Sequence, residues 1–167
     1  MPHVGLPATD GASIDLADRS MARTVVLFAY PRTGRPGTDM PADWDSIPGA
    51  RWCTPEACSF RDLDAEFQAR DAEVFGVSTQ DSDYQREAVE RLRLPNPLLS
   101  DADLRLTRAL DLPTFRAQDD VLLRRLTLVL RDGQIQHVLY PVFPPDQAAA
   151  TVLEVLRGVS DLADGPQ

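Results

Sequence analysis

The sequence predicts an α/β domain in which a central mixed sheet is flanked by helices. Two largely apolar, β-rich runs, Thr24 to Tyr30 and Glu73 to Ser78, read as strands covered on both faces. A stretch of helical period lies between them. The chain then closes with a hairpin through Asp132-Gly133 and an amphipathic helix. Strands alternating with helices, followed by an antiparallel pair, make a layered sheet of mixed direction.

Taken in order, Gly5, Pro7 and Gly11 with Ser13 to Leu16 read as a short strand or hairpin. Pro31 ends the first long strand. The segment 31–49 holds Pro31, Pro36, Pro41 and Pro48 with Gly34, Gly37 and Gly49, and reads as a long loop of the functional kind. Thr54-Pro55-Glu56 reads as a helix start, with Thr54 as cap and Pro55 at the first helical position. Ala57, Phe60, Leu63 and Phe67 continue that helix at its period. Asp81 to Leu92 reads as a helix with Tyr84, Ala88, Val89 and Leu92 inward. A short strand at Pro97 to Ser100 and a short helix at Ala102 to Leu110 follow. Arg125 to Leu130 and Gln134 to Tyr140 form the hairpin, and Asp146 to Leu156 the last helix. The arrangement β-α-β-α-β-β-α is that of thioredoxin-like folds. It is expected to be a single domain over 1–167, with 158–167 as a flexible tail.

Acidic residues outnumber basic ones 26 to 17, for a formal charge of −9. That balance argues against nucleic acid or an anionic membrane as partner, since both favour a basic patch. All 17 basic residues are arginine, which removes Schiff-base and P-loop lysine chemistry. Met1 to Ala22 lacks an apolar run of signal-peptide length, and Thr24 to Pro31 is far short of a membrane span. A cytoplasmic protein is the expectation.

The two cysteines, Cys53 and Cys58, lie five residues apart. In a reducing compartment they are incidental core residues, metal ligands or a redox pair. Zinc needs further ligands, and His3 and His137 lack the spacing, so no metal is expected. Cys53 sits just before the expected helix, where the dipole and free N–H groups favour a thiolate, and Arg51 is the nearest cation in sequence.

Cys53-Thr54-Pro55-Glu56-Ala57-Cys58-Ser59-Phe60-Arg61-Asp62 resembles the active-site segment of Q-type peroxiredoxins, the bacterioferritin-comigratory proteins. The flanking elements follow in the order of that family across residues 5 to 157. The resemblance implies a thiol-dependent peroxidase that needs no cofactor and acts on hydrogen peroxide or organic hydroperoxides. Cys53 would be the peroxidatic cysteine, Cys58 the resolving one, and a thioredoxin-like thiol the reductant. A monomer or weak dimer is expected. Arg125 would stabilise the thiolate and the peroxide oxygens, with Arg124 as its alternative, and Glu56 would pair with Arg61.

Three departures stand out. Ala50 occupies the position of the family threonine, so either Thr33 or Thr54 supplies the hydroxyl, or backbone N–H groups and arginine alone align the peroxide. Trp52 replaces a glycine, and the 31–49 loop contains an insertion. A thiol–disulfide oxidoreductase, or a redox sensor without efficient turnover, is the alternative activity. Residues five apart on a helix have Cα atoms roughly 8.6 Å apart, beyond the limit of about 7 Å for a disulfide. If both cysteines lie in an intact helix they cannot bond: the first turn must open, or the helix must begin later.

Overall fold

The computed structural model describes the backbone of residues 1–163 and the side chains of residues 1–158. The chain opens with the hairpin β1 (Gly5–Pro7) and β2 (Ser13–Asp15), then α1 (Leu16–Ala22) and β3 (Thr24–Ala29). Helices α2 (Cys53–Asp62) and α3 (Asp64–Gln68) precede β4 (Ala72–Ser78), α4 (Ser82–Leu92), β5 (Leu98–Ser100) and α5 (Arg105–Leu110). A small hairpin, β6 (Thr114–Ala117) and β7 (Asp120–Leu123), leads to β8 (Leu126–Arg131), β9 (Gln134–Leu139) and α6 (Ala148–Ala163). Helix α6 carries the chain through the start of the expected tail; residues 164–167 lie outside the described residues.

The main sheet has the order β5-β4-β3-β8-β9. β3 and β4 are parallel, as are β4 and β5, whereas β8 runs antiparallel to both β3 and β9. Thioredoxin-like mixed topology is what the sequence predicts. Strand period explains why β3 is apolar throughout: Val26 and Phe28 face one core, Val25, Leu27 and Ala29 the other. The first core also takes Phe60, Phe67, Ala88 and Val152 from α2, α3, α4 and α6. The second takes Leu6, Leu16 and Leu106 from the opposite side. Phe28 and Phe60 stack at 4.5 Å, which seats α2 on the C-terminal half of β3. Gly76 beside them has no room for a side chain, since a Cβ would sit 2.6 Å from both Leu98 and Phe28 atoms.

The Asp132-Gly133 turn has both residues at positive φ, as a two-residue hairpin loop requires. Several local expectations change. The chain enters α2 through Trp52 in left-handed backbone, so Cys53 is the first helical residue and Thr54 is not the cap. Pro55 then falls third, which costs nothing because first-turn N–H groups have no helical partner. The helix expected to reach Phe67 breaks at Leu63. In α4 the buried positions are Gln85, Ala88 and Leu92, while Tyr84 and Val89 are half-buried. Gln85 earns its place by hydrogen bonding: its Nε2 donates to Tyr30 Oη, Ser78 Oγ and the Leu99 carbonyl. No helix among the described residues is long and apolar enough to cross a membrane.

Candidate active site

Cys53 begins α2 and is only 4% exposed. Arg125 lies between β7 and β8, and it too is buried. Its Nη2 donates to Cys53 Sγ at 3.4 Å and to the Arg51 carbonyl at 2.7 Å. The Gly49 carbonyl lies 3.4 Å from the same nitrogen. Its Nη1 donates to Glu56 Oε2, and Glu56 is fully buried one turn along the helix from Cys53. The buried Glu56 carboxyl thus holds one arm of the guanidinium while the other faces the sulfur.

Burial pushes the Cys53 thiol up; the Arg125 guanidinium and the Arg32 backbone N–H pull it down, and Glu56 adds a smaller push upward. The thiolate expected from the helix terminus is therefore opposed by desolvation, and Arg125 is the main group favouring it. Burial also raises the Glu56 carboxyl to about 8, against the pull of Arg125.

The remaining residues singled out in the sequence fall as follows. Arg124 is not at the sulfur: its guanidinium lies over the Phe115 ring, 5.6 Å from the centroid. Arg51 contributes its carbonyl, while its side chain pairs with Asp45 in solvent. Glu56 pairs with Arg125 and not with Arg61, which binds Asp62 and the Leu92 carbonyl. Thr33 is buried, but its N–H and hydroxyl both face Gln80 Oε1, at 3.0 and 3.4 Å. Thr54 is half-buried in the first turn of α2, and Cys58 is half-buried in its second. Trp52 is 58% exposed and belongs to none of the buried clusters around the site.

Sequence reasoning did not find the Arg32 N–H or the 49–51 carbonyls, because backbone groups leave no residue-type signal. Ala50 is fully buried against Trp44, Ala117 and Leu122, with its carbonyl 3.6 Å from the Cys53 thiol that donates to it. A threonine there would have to fit into a packed site. Ala50→Thr is expected to lower stability by about 1–3 kcal/mol without speeding reaction at Cys53, as urea unfolding and peroxide kinetics on the same variant would show.

A cavity of about 230 Å³ opens beside Arg125, walled by Pro48, Tyr140, Pro141, Val142 and Phe143. A larger cleft of about 300 Å³ lies along Arg32, Gln80, Tyr84 and Asp120; Cys53, Glu56 and Arg125 do not line it. Of the two, the smaller and more apolar cavity is the one that Arg125 lines; Cys53 lines neither.

The profile of the family described as Redoxin matches residues 1–156. This chain belongs to the redoxin family. Within it the chain is of the peroxiredoxin Q/Bcp type, as its relatives show. It is 36% identical over 101 residues to peroxiredoxin bcp1 of Schizosaccharomyces pombe, an alignment covering 60% of this chain and 44% of that one. It is 28% identical over 159 residues to the chloroplastic peroxiredoxin Q of Oryza sativa, covering 95% of this chain and 65% of the relative. The chain thus spans less than two thirds of the length of these curated relatives. The crystal structure of peroxidoxin BcpB from Mycobacterium tuberculosis superposes with a TM-score of 0.75 at 30% identity, covering 93% of this chain and 92% of that one.

Proposed function

We propose that this peroxiredoxin is a thiol-dependent peroxidase in which Cys53 is the peroxidatic cysteine, Cys58 the resolving cysteine and Arg125 the group that stabilises charge. The observation that carries this reading is the Cys53 sulfur held 3.4 Å from a buried guanidinium that Glu56 anchors from its other side. With Cys53 only 4% exposed, a small hydroperoxide is favoured as substrate over a bulky protein disulfide. The thiolate attacks the terminal peroxide oxygen, an S–O bond forms and the O–O bond breaks. The alkoxide or hydroxide that leaves takes up a proton, giving alcohol or water and a Cys53 sulfenic acid. Arg125 faces the charge as it moves from sulfur to oxygen. The Cys58 thiol then attacks the sulfenic sulfur, releasing water and forming a disulfide, which a thioredoxin-like dithiol reduces. The apolar wall beside Arg125 supports organic hydroperoxides as substrates in addition to hydrogen peroxide. This cycle requires a reducing compartment, consistent with the cytoplasm, and works in a monomer or weak dimer.

The test is peroxide consumption by the whole chain with a dithiol donor. Steady consumption without reduction of insulin disulfides supports the reading; the opposite pattern would identify a thiol–disulfide oxidoreductase. The geometry of α2 adds a second expectation. Both cysteines lie within one helix, Cys53–Asp62, so the disulfide form must have this first turn open. Hydrogen exchange should show residues 54 to 62 protected in the reduced protein and exposed in the oxidised one. Equal protection in both states would leave a disulfide between chains as the better account.

A further inference from the structure

The 31–49 loop carries a small core of its own, and that core reaches the reacting groups through the backbone. Trp44, in a single 3₁₀ turn, is buried against Ala50, Ala117 and Leu122. Its ring lies 6.4 Å from that of Phe115. Phe115, Ala117 and Leu122 belong to the β6–β7 hairpin, so Trp44 fastens the loop to an element that leads directly into Arg125. Asp45 and Arg51 close the loop with a two-pronged ion pair at 2.7 and 2.6 Å. That pair is exposed, and exposed pairs contribute little. The buried indole is the stronger fastening.

From this core the chain runs through Gly49, Ala50 and Arg51, and three consecutive carbonyls turn to the site. Gly49 and Arg51 accept from Arg125 Nη2, and Ala50 accepts from the Cys53 thiol. Glu56 holds only Nη1. The nitrogen that faces sulfur is therefore held directly by the loop, while Glu56 anchors the opposite arm. A guanidinium is a rigid planar fork, so fixing its second arm fixes the direction of the whole group.

We propose that Trp44 is a positioning residue for Arg125: seated on the β6–β7 hairpin, it holds the 49–51 carbonyls that aim Nη2 at the Cys53 sulfur. The proposal rests on the reading of Cys53 as the peroxide-reactive thiol. Without the indole the carbonyls lose their fixed place, Nη2 turns away, and the thiolate loses its directed donor.

The test uses the full chain carrying Cys58→Ser, so that only Cys53 reacts, with iodoacetamide and hydrogen peroxide as probes. Trp44→Ala should move the alkylation profile of Cys53 to higher pH, because an anion with a poorly placed cation binds its proton more tightly. The rate of oxidation by peroxide should fall by about tenfold or more, as small misplacements of reacting groups do. Trp44→Phe should restore most of both. In an Arg125→Ala background Trp44→Ala should cost less than about twofold, the signature of two residues acting as one unit. An unchanged alkylation profile, or equal slowing in both backgrounds, overturns the proposal. If circular dichroism shows Trp44→Ala unfolded, Leu122→Ala removes the hairpin side of the same contact and carries the same expectations. If the parent protein does not react with peroxide at all, the reading of Cys53 fails, whereas the alkylation profile still decides the role of Trp44.

Discussion

Cys53→Ser should abolish rapid peroxide consumption, whereas Cys58→Ser should retain a single stoichiometric oxidation that stops at sulfenic acid. The asymmetry follows from position. Cys53 begins α2, with the Arg125 guanidinium 3.4 Å away and the Arg32 N–H facing it. Cys58 lies further along the same helix, half-buried and packed against the core that contains Phe60. Arg125 does not donate to it. Removing the first sulfur removes the reacting atom. Removing the second leaves the first reaction intact and blocks its resolution, so a trapping reagent for sulfenic acid should label Cys58→Ser and not Cys53→Ser. Labelling with the opposite preference would reverse the two roles.

Arg125→Ala should slow attack on peroxide by about 10²–10³, the usual cost of losing a donor aimed at developing charge. The pH dependence gives a second reading of the same change. Burial already pushes the Cys53 thiol up, and Arg125 is the main group pulling it down. The thiolate is the reactive form and is lost as pH falls through the thiol's pKa. Removing the cation raises that pKa, so the rate profile of Arg125→Ala should move to higher pH. The substitution also strips the buried Glu56 carboxyl of its partner. Glu56, already raised to about 8 by burial, should then hold its proton more firmly still, which spares the fold from an uncompensated buried charge. Circular dichroism should therefore stay close to that of the parent protein. A rate within about threefold of the parent would remove Arg125 from the mechanism; that threshold is far inside the expected loss.

Much of this was legible in the residues, for reasons that can be stated. The long strands were visible because β3 and β4 are covered on both faces, which demands unbroken apolar runs. The ten-residue cysteine segment placed Glu56 and Cys58 on one helix with Cys53 just before it; that helix is present as α2 and takes in Cys53 as well. Arg125 was distinguishable from Arg124 only as a preference, because adjacent residues at a strand start differ in direction and not in type. The structure decides it by sending Arg124 over Phe115. The β6–β7 hairpin was not legible: Arg116 and Asp120 interrupt its alternation, and its turn uses Gln118 at positive φ where a glycine would have marked it. The helix start was misplaced by Thr54-Pro55, a strong local signal overridden by left-handed Trp52. Thr33 was a reasonable source of a hydroxyl from its place after Pro31, yet its partner Gln80 is 47 residues away in sequence, and no local pattern reveals that.

The most direct measurement is a rapid-mixing titration of the reduced protein with hydrogen peroxide, quenched and mapped by mass spectrometry. The account predicts that one equivalent of peroxide consumes both thiols, and that the product is a Cys53–Cys58 disulfide within a single chain. It further predicts Trp52 fluorescence changing as α2 opens, since that exposed indole stands next to Cys53. Peroxide consumed while Cys53 stays reduced would contradict the account at its centre.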